Sequence, residues 1–273
     1  MSGTFIWSER GYFFASAPPL GFADHLDGAG ADPWLVLARV LGEAKAGRFG
    51  GLSQLQAHFV GGQDPLFVRA SVELLGNAAT LDSRKVLLAA MRSSDAELSV
   101  EACGGACLSG DLDLIAAVVV SQRFVPRLSM REEIGLMLSL VLEEKAGPIH
   151  TWVAHPRAEY EALVLEQIEA IRRTVGSTIP IWQGRCYSVV TMVRRMLEEL
   201  ATAASSSFTL SVRFKIFRSR FEAATGIDCS PCFKNGKFLP LAATALLEDF
   251  MNESDWDRYQ DGLRYFFGHQ IPN

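Results

Sequence analysis

Apolar residues recur three and four positions apart along most of this chain, the spacing that places them on one face of an α-helix. A first helix is predicted over Trp34–Ala46, opened by Asp32 as an N-cap acid and by Pro33 at the first helical position. Six shorter helices are predicted next: Leu52–Val60, Pro65–Asn77, Asp82–Arg92, Ala96–Leu108, Leu112–Arg123 and Arg131–Lys145. The remaining predicted helices are Ala158–Val175, Tyr187–Ala204, Leu210–Thr225, Pro240–Asn252 and a short one near Asp255–Phe267. Strand patterns are nearly absent beyond residue 31, so the predicted class is all-α.

Two of the short helices share a local pattern. Val68-Arg69-Ala70 is matched by Val100-Glu101-Ala102, 32 positions later. Helix pairs that repeat every 30–45 residues, roughly, are typical of an α-solenoid, because one short amphipathic pair cannot bury its apolar face alone. The sequence therefore predicts α-solenoid-like (HEAT-like) helical repeats, with an irregular helical bundle as the alternative.

Changes in composition divide the chain into three parts. Residues 1–31 are predicted to form a short aromatic arm or hairpin, followed by a loop rich in glycine, proline and aspartate. The aromatic residues of this arm are Phe5, Trp7, Tyr12 and Phe14. Residues 32–146 are predicted to form the HEAT-like repeats. Residues 149–273 are predicted to form a helical C-terminal region packed on those repeats.

Composition excludes several classes of protein. The 273 residues are 49% hydrophobic and 21% charged, which supports a folded core and excludes a mainly disordered chain. The 31 acidic and 26 basic residues give a net charge of −5, without the basic excess typical of nucleic-acid binding. No secretory signal and no apolar run of about 20 residues is present, so neither export nor membrane insertion is predicted. The chain has five cysteines, an odd number that cannot all pair in disulfides within the chain. This count favours reduced thiols and a cytoplasmic protein.

Three local patterns resemble chemical sites but favour structural roles. The C-x-x-C of Cys229 and Cys232 follows a predicted helix rather than a strand, and the second cysteine pair typical of a zinc site is missing. Cys103 and Cys107 share one helix face, where buried cysteines usually pack in a core. Asp111 fits helix capping better than metal binding. No metal, cofactor or catalytic residue is therefore predicted.

An enzyme with a non-local site remains an alternative. His150 and His155 flank Trp152 between the two helical regions, and the segment around Cys186 faintly resembles the nucleophile region of papain-type proteases. A site built on His150, His155 and Cys186 would need a deep pocket that brings them together.

Two clusters of charge are candidate surfaces. The basic residues Arg213, Lys215, Arg218 and Arg220 spread around one predicted helix. This distribution predicts a solvated helix whose long side chains extend into water. Acidic residues gather between positions 248 and 257, which predicts either a solvated face or a docking patch for a basic partner.

Three C-terminal segments resemble a known family. They read Phe221-Glu-Ala-Ala-Thr-Gly-Ile-Asp-Cys-Ser, Asn235-Gly-Lys-Phe-Leu-Pro-Leu-Ala-Ala-Thr-Ala-Leu-Leu-Glu-Asp-Phe250 and Gly262-Leu-Arg-Tyr-Phe-Phe-Gly-His269. They are similar to all-helical, HEAT-repeat-like immunity proteins of bacterial polymorphic-toxin and effector systems. The resemblance implies a protein of interbacterial competition that binds one cognate toxin in the producing cell and blocks it.

The expected function is therefore that of an immunity protein, not an enzyme. Its expected partner is a cognate protein toxin, with no nucleic acid and no membrane. The residues expected to contact the toxin are Glu143, Glu144, Asp255, Trp256 and Asp257. A HEAT-like scaffold or adaptor for an endogenous partner is the first alternative, and the enzyme described above is the second.

Overall fold

The computed structural model describes residues 32–59, 64–125, 127–144, 147–149, 156–202, 208–253 and 256–272. In these ranges the chain is mostly α-helical, which confirms the all-α class. The helices are α1 (Pro33–Lys45), α2 (Pro65–Ala78), α3 (Leu81–Met91), α4 (Ala96–Ser109), α5 (Leu112–Ser121), α6 (Leu128–Leu142), α7 (Arg157–Val175), α8 (Val189–Thr202), α9 (Phe208–Thr225) and α10 (Pro240–Asn252). Short 3₁₀ turns cover Leu52–His58, Gln122–Phe124, Ser230–Cys232 and Trp256–Arg258. The predicted N-terminal arm lies outside the described residues.

Aspartate side chains begin several of these helices, as their positions in the sequence predict. Asp32 accepts a hydrogen bond from the N–H of Trp34, and Asp64 accepts one from Leu66, each at 2.9 Å. Asp95 accepts from two N–H groups at the start of α4. Each side chain satisfies donors that the first turn of a helix leaves unpaired.

Helices α2 to α7 stack as consecutive pairs in two layers. The first helix of each pair contacts the next first helix, so α2 contacts α4 and α4 contacts α6. The second helices do the same, since α3 contacts α5 and α5 contacts α7. Residues 32 positions apart meet across α2 and α4, where Arg69 pairs with Glu101 at 2.7 Å. These contacts place alternate helices side by side, and the α-solenoid-like, HEAT-like repeat stays a prediction.

Glycine allows α2 and α4 to approach each other closely. A Cβ atom on Gly76 would lie 2.3 Å from the carbonyl oxygen of Gly105, and one on Gly105 would lie 2.5 Å from Val72. Both distances are far inside van der Waals contact. The two backbones therefore touch at this crossing, where a larger residue cannot fit without movement of a helix.

Three two-stranded hairpins interrupt the C-terminal helices. Their strands are β1 (Ile181–Trp182) with β2 (Arg185–Cys186), β3 (Phe233–Lys234) with β4 (Lys237–Phe238), and β5 (Tyr265–Phe266) with β6 (His269–Gln270). Each pair is antiparallel, and both turn residues have positive φ, between 49° and 76°. These angles define type I′ turns, which match the twist of a two-residue hairpin.

The hairpins correct two predictions. The helix predicted near Asp255–Phe267 does not form over residues 256–267, because a 3₁₀ turn over Trp256–Arg258 is followed by the β5–β6 hairpin. Strands also occur beyond residue 31, which the helical pattern did not predict. Each strand is only two residues long, too short to show the alternation of apolar and polar residues that indicates a strand.

Buried arginines connect the C-terminal region to the end of α4. Arg220 on α9 donates to the carbonyl oxygen of Leu108, and Arg264 donates to that of Ser109 at 3.1 Å. These carbonyls end a helix and lack intrahelical donors, so cations stabilise them. Arg220 also lies 4.4 Å from the centre of the Tyr187 ring.

The basic cluster of α9 is therefore not the solvated face that was predicted. Arg218 and Arg220 are buried, and only Lys215 is largely exposed. Arg218 pairs with the buried Glu222 at 2.7 Å, and Arg220 is held by the α4 carbonyl. Spacing alone cannot distinguish these positions, because the neighbours that bury them lie far away in the sequence.

Two acidic side chains lie on helices that pack together, Glu73 on α2 and Glu222 on α9, and the charge of Glu222 contributes to the raised pKa of Glu73. Burial raises the pKa of Glu73 to about 7, and it raises the pKa of Glu222 to about 7 as well. Arg69 and Arg218 oppose these shifts without cancelling them. Ser219 of α9 donates to Glu73 across the interface at 3.4 Å.

These raised pKa values predict that the protein loses stability as pH rises. Between about pH 4.5 and pH 7 the folded state holds protons that the unfolded chain has released, so rising pH favours unfolding. Each carboxyl contributes on the order of 1–3 kcal/mol over this window. Urea unfolding of wild type and Glu73→Gln at about pH 5 and pH 8 measures the effect. Glu73→Gln should lose less stability than wild type over this interval, and equal losses would contradict the assignment.

Candidate partner-binding groove

A groove opens at the N-terminal ends of the three stacked first helices. It encloses about 220 Å³ and is bounded by residues of α2, α4 and α6 together with Phe59. Its lining is Phe59, Pro65, Val68, Asp95, Glu97, Leu98, Val100, Glu101, Met130 and Glu133. We refer to this feature as the α2–α4–α6 groove.

The floor of the groove is apolar and continuous with the core. Val68 and Leu98 are buried, and Phe59 and Met130 are partly buried against the same core cluster. Because these side chains are anchored below the surface, the floor is formed before any partner arrives. A preformed apolar recess of this kind can receive one aliphatic or aromatic side chain.

The rim of the groove is acidic. Four carboxylates line it among the described residues, at Asp95, Glu97, Glu101 and Glu133, and that described lining contains no basic side chain. Glu97 and Glu133 are exposed and form no direct ion pair with any described residue. Asp95 and Glu97 lie at the start of α4, where the positive end of the helix dipole favours a negative charge.

One arginine beside the groove faces several of these acids. Arg69 forms a two-pronged hydrogen bond with Glu101, through Nε at 3.1 Å and Nη2 at 2.7 Å. That hydrogen bond raises the pKa of Arg69, and the charges of Glu73 and Glu133 add to the effect. Glu101 is the one rim acid that pairs with Arg69 among the described residues, so the other three carboxylates leave the rim negative.

The groove residues follow the 32-residue spacing that relates α2 to α4. Arg69, Glu101 and Glu133 are successive members of this series, one on each stacked helix. Leu98 and Met130, which both line the floor, are related in the same way. The groove was not predicted because the 32-residue spacing was recognised only between α2 and α4. The same spacing continues to α6, where it would have indicated the third side of the groove.

The predicted contact residues lie elsewhere, beside α8. Glu144 pairs with Arg195 at 2.9 Å and also with Arg185, while the ring of half-buried Trp256 lies 5.9 Å from the guanidinium carbon of Arg194. The structure therefore brings Glu144 and Trp256 to consecutive arginines of one helix. The charge of Glu144 is largely balanced by its two arginines.

The other three predicted contact residues have no described contact with these arginines of α8. Glu143 accepts hydrogen bonds from the Ser139 hydroxyl and the Ile149 N–H, so it holds a loop after α6. Asp257 is exposed, and Asp255 lies outside the described residues. The predicted patch remains a prediction, with Glu144, Trp256 and Asp257 as its described surface residues.

The candidate enzyme site is only partly described. Cys186 is half-buried and its thiol lies 3.7 Å from the Tyr187 carbonyl oxygen, while His150, Trp152 and His155 lie outside the described residues. Burial, with a smaller contribution from Asp261, raises the pKa of the Cys186 thiol. A raised thiol pKa lowers the fraction of reactive thiolate.

The remaining cysteines are buried in the core. Burial raises the pKa of Cys103 to about 12, and it raises that of Cys107 further. Cys229 and Cys232 share a hydrogen bond that raises the pKa of Cys229 and lowers that of Cys232. All five cysteines are free thiols. Within the described ranges, no three His, Cys, Asp or Glu residues are grouped so that they could hold a metal ion.

Comparison with known proteins identified no match to this chain. No protein-family model, curated protein or solved structure matches this chain. Among the helices that the structure describes, none has both the length and the apolar character that crossing a membrane requires.

Proposed function

We propose that this protein is an immunity protein that binds a cognate bacterial toxin and neutralises it by protein–protein contact at the α2–α4–α6 groove. The observation that carries the proposal is the combination of an apolar floor with four carboxylates on the rim. The resemblance of the C-terminal segments to toxin-immunity proteins supplies the class of partner. The proposed place of action is the cytoplasm, where free thiols stay reduced.

The chemistry of the groove indicates which part of the toxin it would bind. An apolar side chain flanked by lysine or arginine would fill the floor and meet Glu97, Glu101 and Glu133 on the rim. Burial of the apolar anchor would supply most of the affinity. The carboxylates would speed encounter with a basic surface and exclude acidic competitors. Because the floor is anchored in stacked helices, little ordering would be needed on binding.

Charge reversal on the rim tests this proposal. Glu97→Lys with Glu133→Lys should abolish copurification with the toxin encoded by the adjacent gene and remove protection in a survival assay. Both side chains are exposed and form no ion pair with a described residue, but a lysine at the start of α4 opposes the helix dipole, so the double variant should stay folded and lose at most about 1–2 kcal/mol of stability. The expected loss of affinity is at least tenfold, equivalent to about 1.4 kcal/mol.

The predicted acidic patch provides the matched control. Glu253→Lys with Asp257→Lys makes the same change of charge at two exposed acids that form no ion pair with a described residue, and it should leave binding and protection intact. Loss of protection in this control alone would transfer the binding site to the patch beside α8. A wild-type protein that neither binds nor protects against the adjacent product would overturn the immunity function itself.

A further inference from the structure

A second surface with an opposite charge lies at the β3–β4 hairpin. Lys234 and Lys237 are direct cross-strand partners on either side of the turn formed by Asn235 and Gly236. Both lysines are exposed, and neither forms an ion pair with a residue that the structure describes. Like charges directly opposite each other destabilise a hairpin, so an anionic partner would relieve this repulsion.

An exposed apolar side chain follows the hairpin closely in the sequence. Leu241, four residues after Lys237 and in the first turn of α10, keeps 86% of its surface exposed. A single exposed leucine is common on protein surfaces. Here, however, it follows by four positions a lysine pair that has no ion pair with a described residue, on a hairpin that is fixed to the core by Phe233 and Phe238, whose rings pack against Phe214. We refer to Lys234, Lys237 and Leu241 as the hairpin knob.

The hairpin knob has the chemistry that the α2–α4–α6 groove would bind. The groove offers an apolar floor of about 220 Å³ and four rim carboxylates, and the knob offers one projecting leucine and two lysines. We propose that a second copy of this chain inserts its hairpin knob into the groove, which produces a head-to-tail association. The leucine would enter the floor, and Lys234 and Lys237 would pair with the rim.

This contact has two physical consequences. Because it joins two different surfaces, each end of a dimer keeps one surface free, so further copies can add to an open chain or close a ring, and the average mass rises with concentration. Only a small area is involved, so the contact is weak and sensitive to salt. A partner that fills the groove would displace the second copy, which would couple self-association to partner binding.

Sedimentation of the full chain at increasing concentration tests the proposal. In low salt, the wild-type average mass should rise above the 29.9 kDa of the monomer as concentration increases, and it should fall back when salt is added. Leu241→Asp should remain monomeric at every concentration. Leu81→Asp is the matched control, because this leucine also lies in the first turn of a helix, α3, and is 59% exposed, but it belongs neither to the knob nor to the described groove lining.

A pair of charge-reversed variants gives the sharpest test. Lys234→Glu with Lys237→Glu gives the molecule an acidic knob and an acidic groove, and Glu97→Lys with Glu133→Lys leaves two lysines and two carboxylates on the rim, which removes its net negative charge. Each variant alone should be monomeric, because the first has two surfaces that repel each other and the second has lost the charge that attracts the lysines. An equimolar mixture should associate again, since the basic knob of the second variant meets the acidic groove of the first.

The outcomes separate this inference from the proposed function. A monomeric wild type at all concentrations in low salt, or a mixture that fails to associate, would overturn the head-to-tail contact. Neither result bears on protection against the toxin, which depends on the groove and not on the knob. A knob variant that stays associated would likewise overturn the inference.

Discussion

Gly76→Ala and Gly105→Ala should each destabilise the protein, whereas Gly104→Ala should stabilise it. A methyl group at Gly76 would lie 2.3 Å from a backbone oxygen of α4, and one at Gly105 would lie 2.8 Å from the Val72 carbonyl oxygen. Backbone atoms cannot rotate away as a side chain can, so α2 and α4 must separate. Overpacking of this kind costs about 1–3 kcal/mol.

Gly104 is the matched control within the same helix. A Cβ atom there would have no atom within 4 Å, so alanine adds no clash. Alanine is favoured over glycine inside a helix by up to about 1 kcal/mol, and this gain should appear in full. The free energies of urea unfolding should therefore change in opposite directions at these neighbouring positions. A stabilising effect of alanine at both Gly104 and Gly105 would contradict the close packing of α2 against α4.

Asp111→Ala should cause a comparable or larger loss of stability, of about 3–5 kcal/mol. Asp111 caps α5 by accepting from the N–H groups of Asp113 and Leu114 at 2.9 and 3.1 Å. Its other oxygen pairs with Arg84 at 2.9 Å and lies 4.0 Å from buried Arg264. Alanine would remove the cap and leave two arginines without their carboxylate.

Two further variants separate the cap from the charge. Asp64→Ala removes only an exposed N-cap, that of α2, and should cost about 1 kcal/mol. Asp111→Asn keeps a side chain that caps well but removes the charge, so its loss should fall between the other two. Thermal and urea unfolding of the three variants measures this order. Equal losses for Asp64→Ala and Asp111→Ala would show that the buried ion pairs contribute nothing.

The helical stack could be predicted because its signals are local. Asp32, Asp64 and Asp95 each precede a helix and cap it, and the match between Val68-Arg69-Ala70 and Val100-Glu101-Ala102 identifies two helices that the structure places side by side. Caps and repeats depend on residues close in sequence or at a fixed spacing. Both can therefore be recognised without knowledge of the tertiary structure.

The C-terminal region was harder to predict because its determinants are distant in sequence. Asn235-Gly236 is a strong hairpin signal, but Gln183-Gly184 and Phe267-Gly268 are weaker ones, and the positive φ of Phe267 is supported by tertiary contacts. The Phe267 N–H donates to the carbonyl oxygen of Ala223 at 2.6 Å. Ala223 lies in α9, 44 positions before Phe267 in the sequence. Long-range contacts of this kind leave no pattern in a local window.

The candidate site was missed for a related reason. The sequence shows Glu143, Glu144 and the acids near residue 255 as a concentration of charge, but the structure pairs Glu144 with arginines of β2 and α8. Glu97, Glu101 and Glu133 are separated along the chain and become neighbours only when α2, α4 and α6 stack. A search for 32-residue spacing would have linked Glu101 with Glu133.

Hydrogen–deuterium exchange on the complex with the adjacent gene's product tests the central claim most directly. Binding at the α2–α4–α6 groove should slow exchange at the first turns of α2, α4 and α6 while the β3–β4 hairpin and α8 keep their rates. Slowed exchange confined to α8 and residues 256–258, with no change at the groove, would contradict the account.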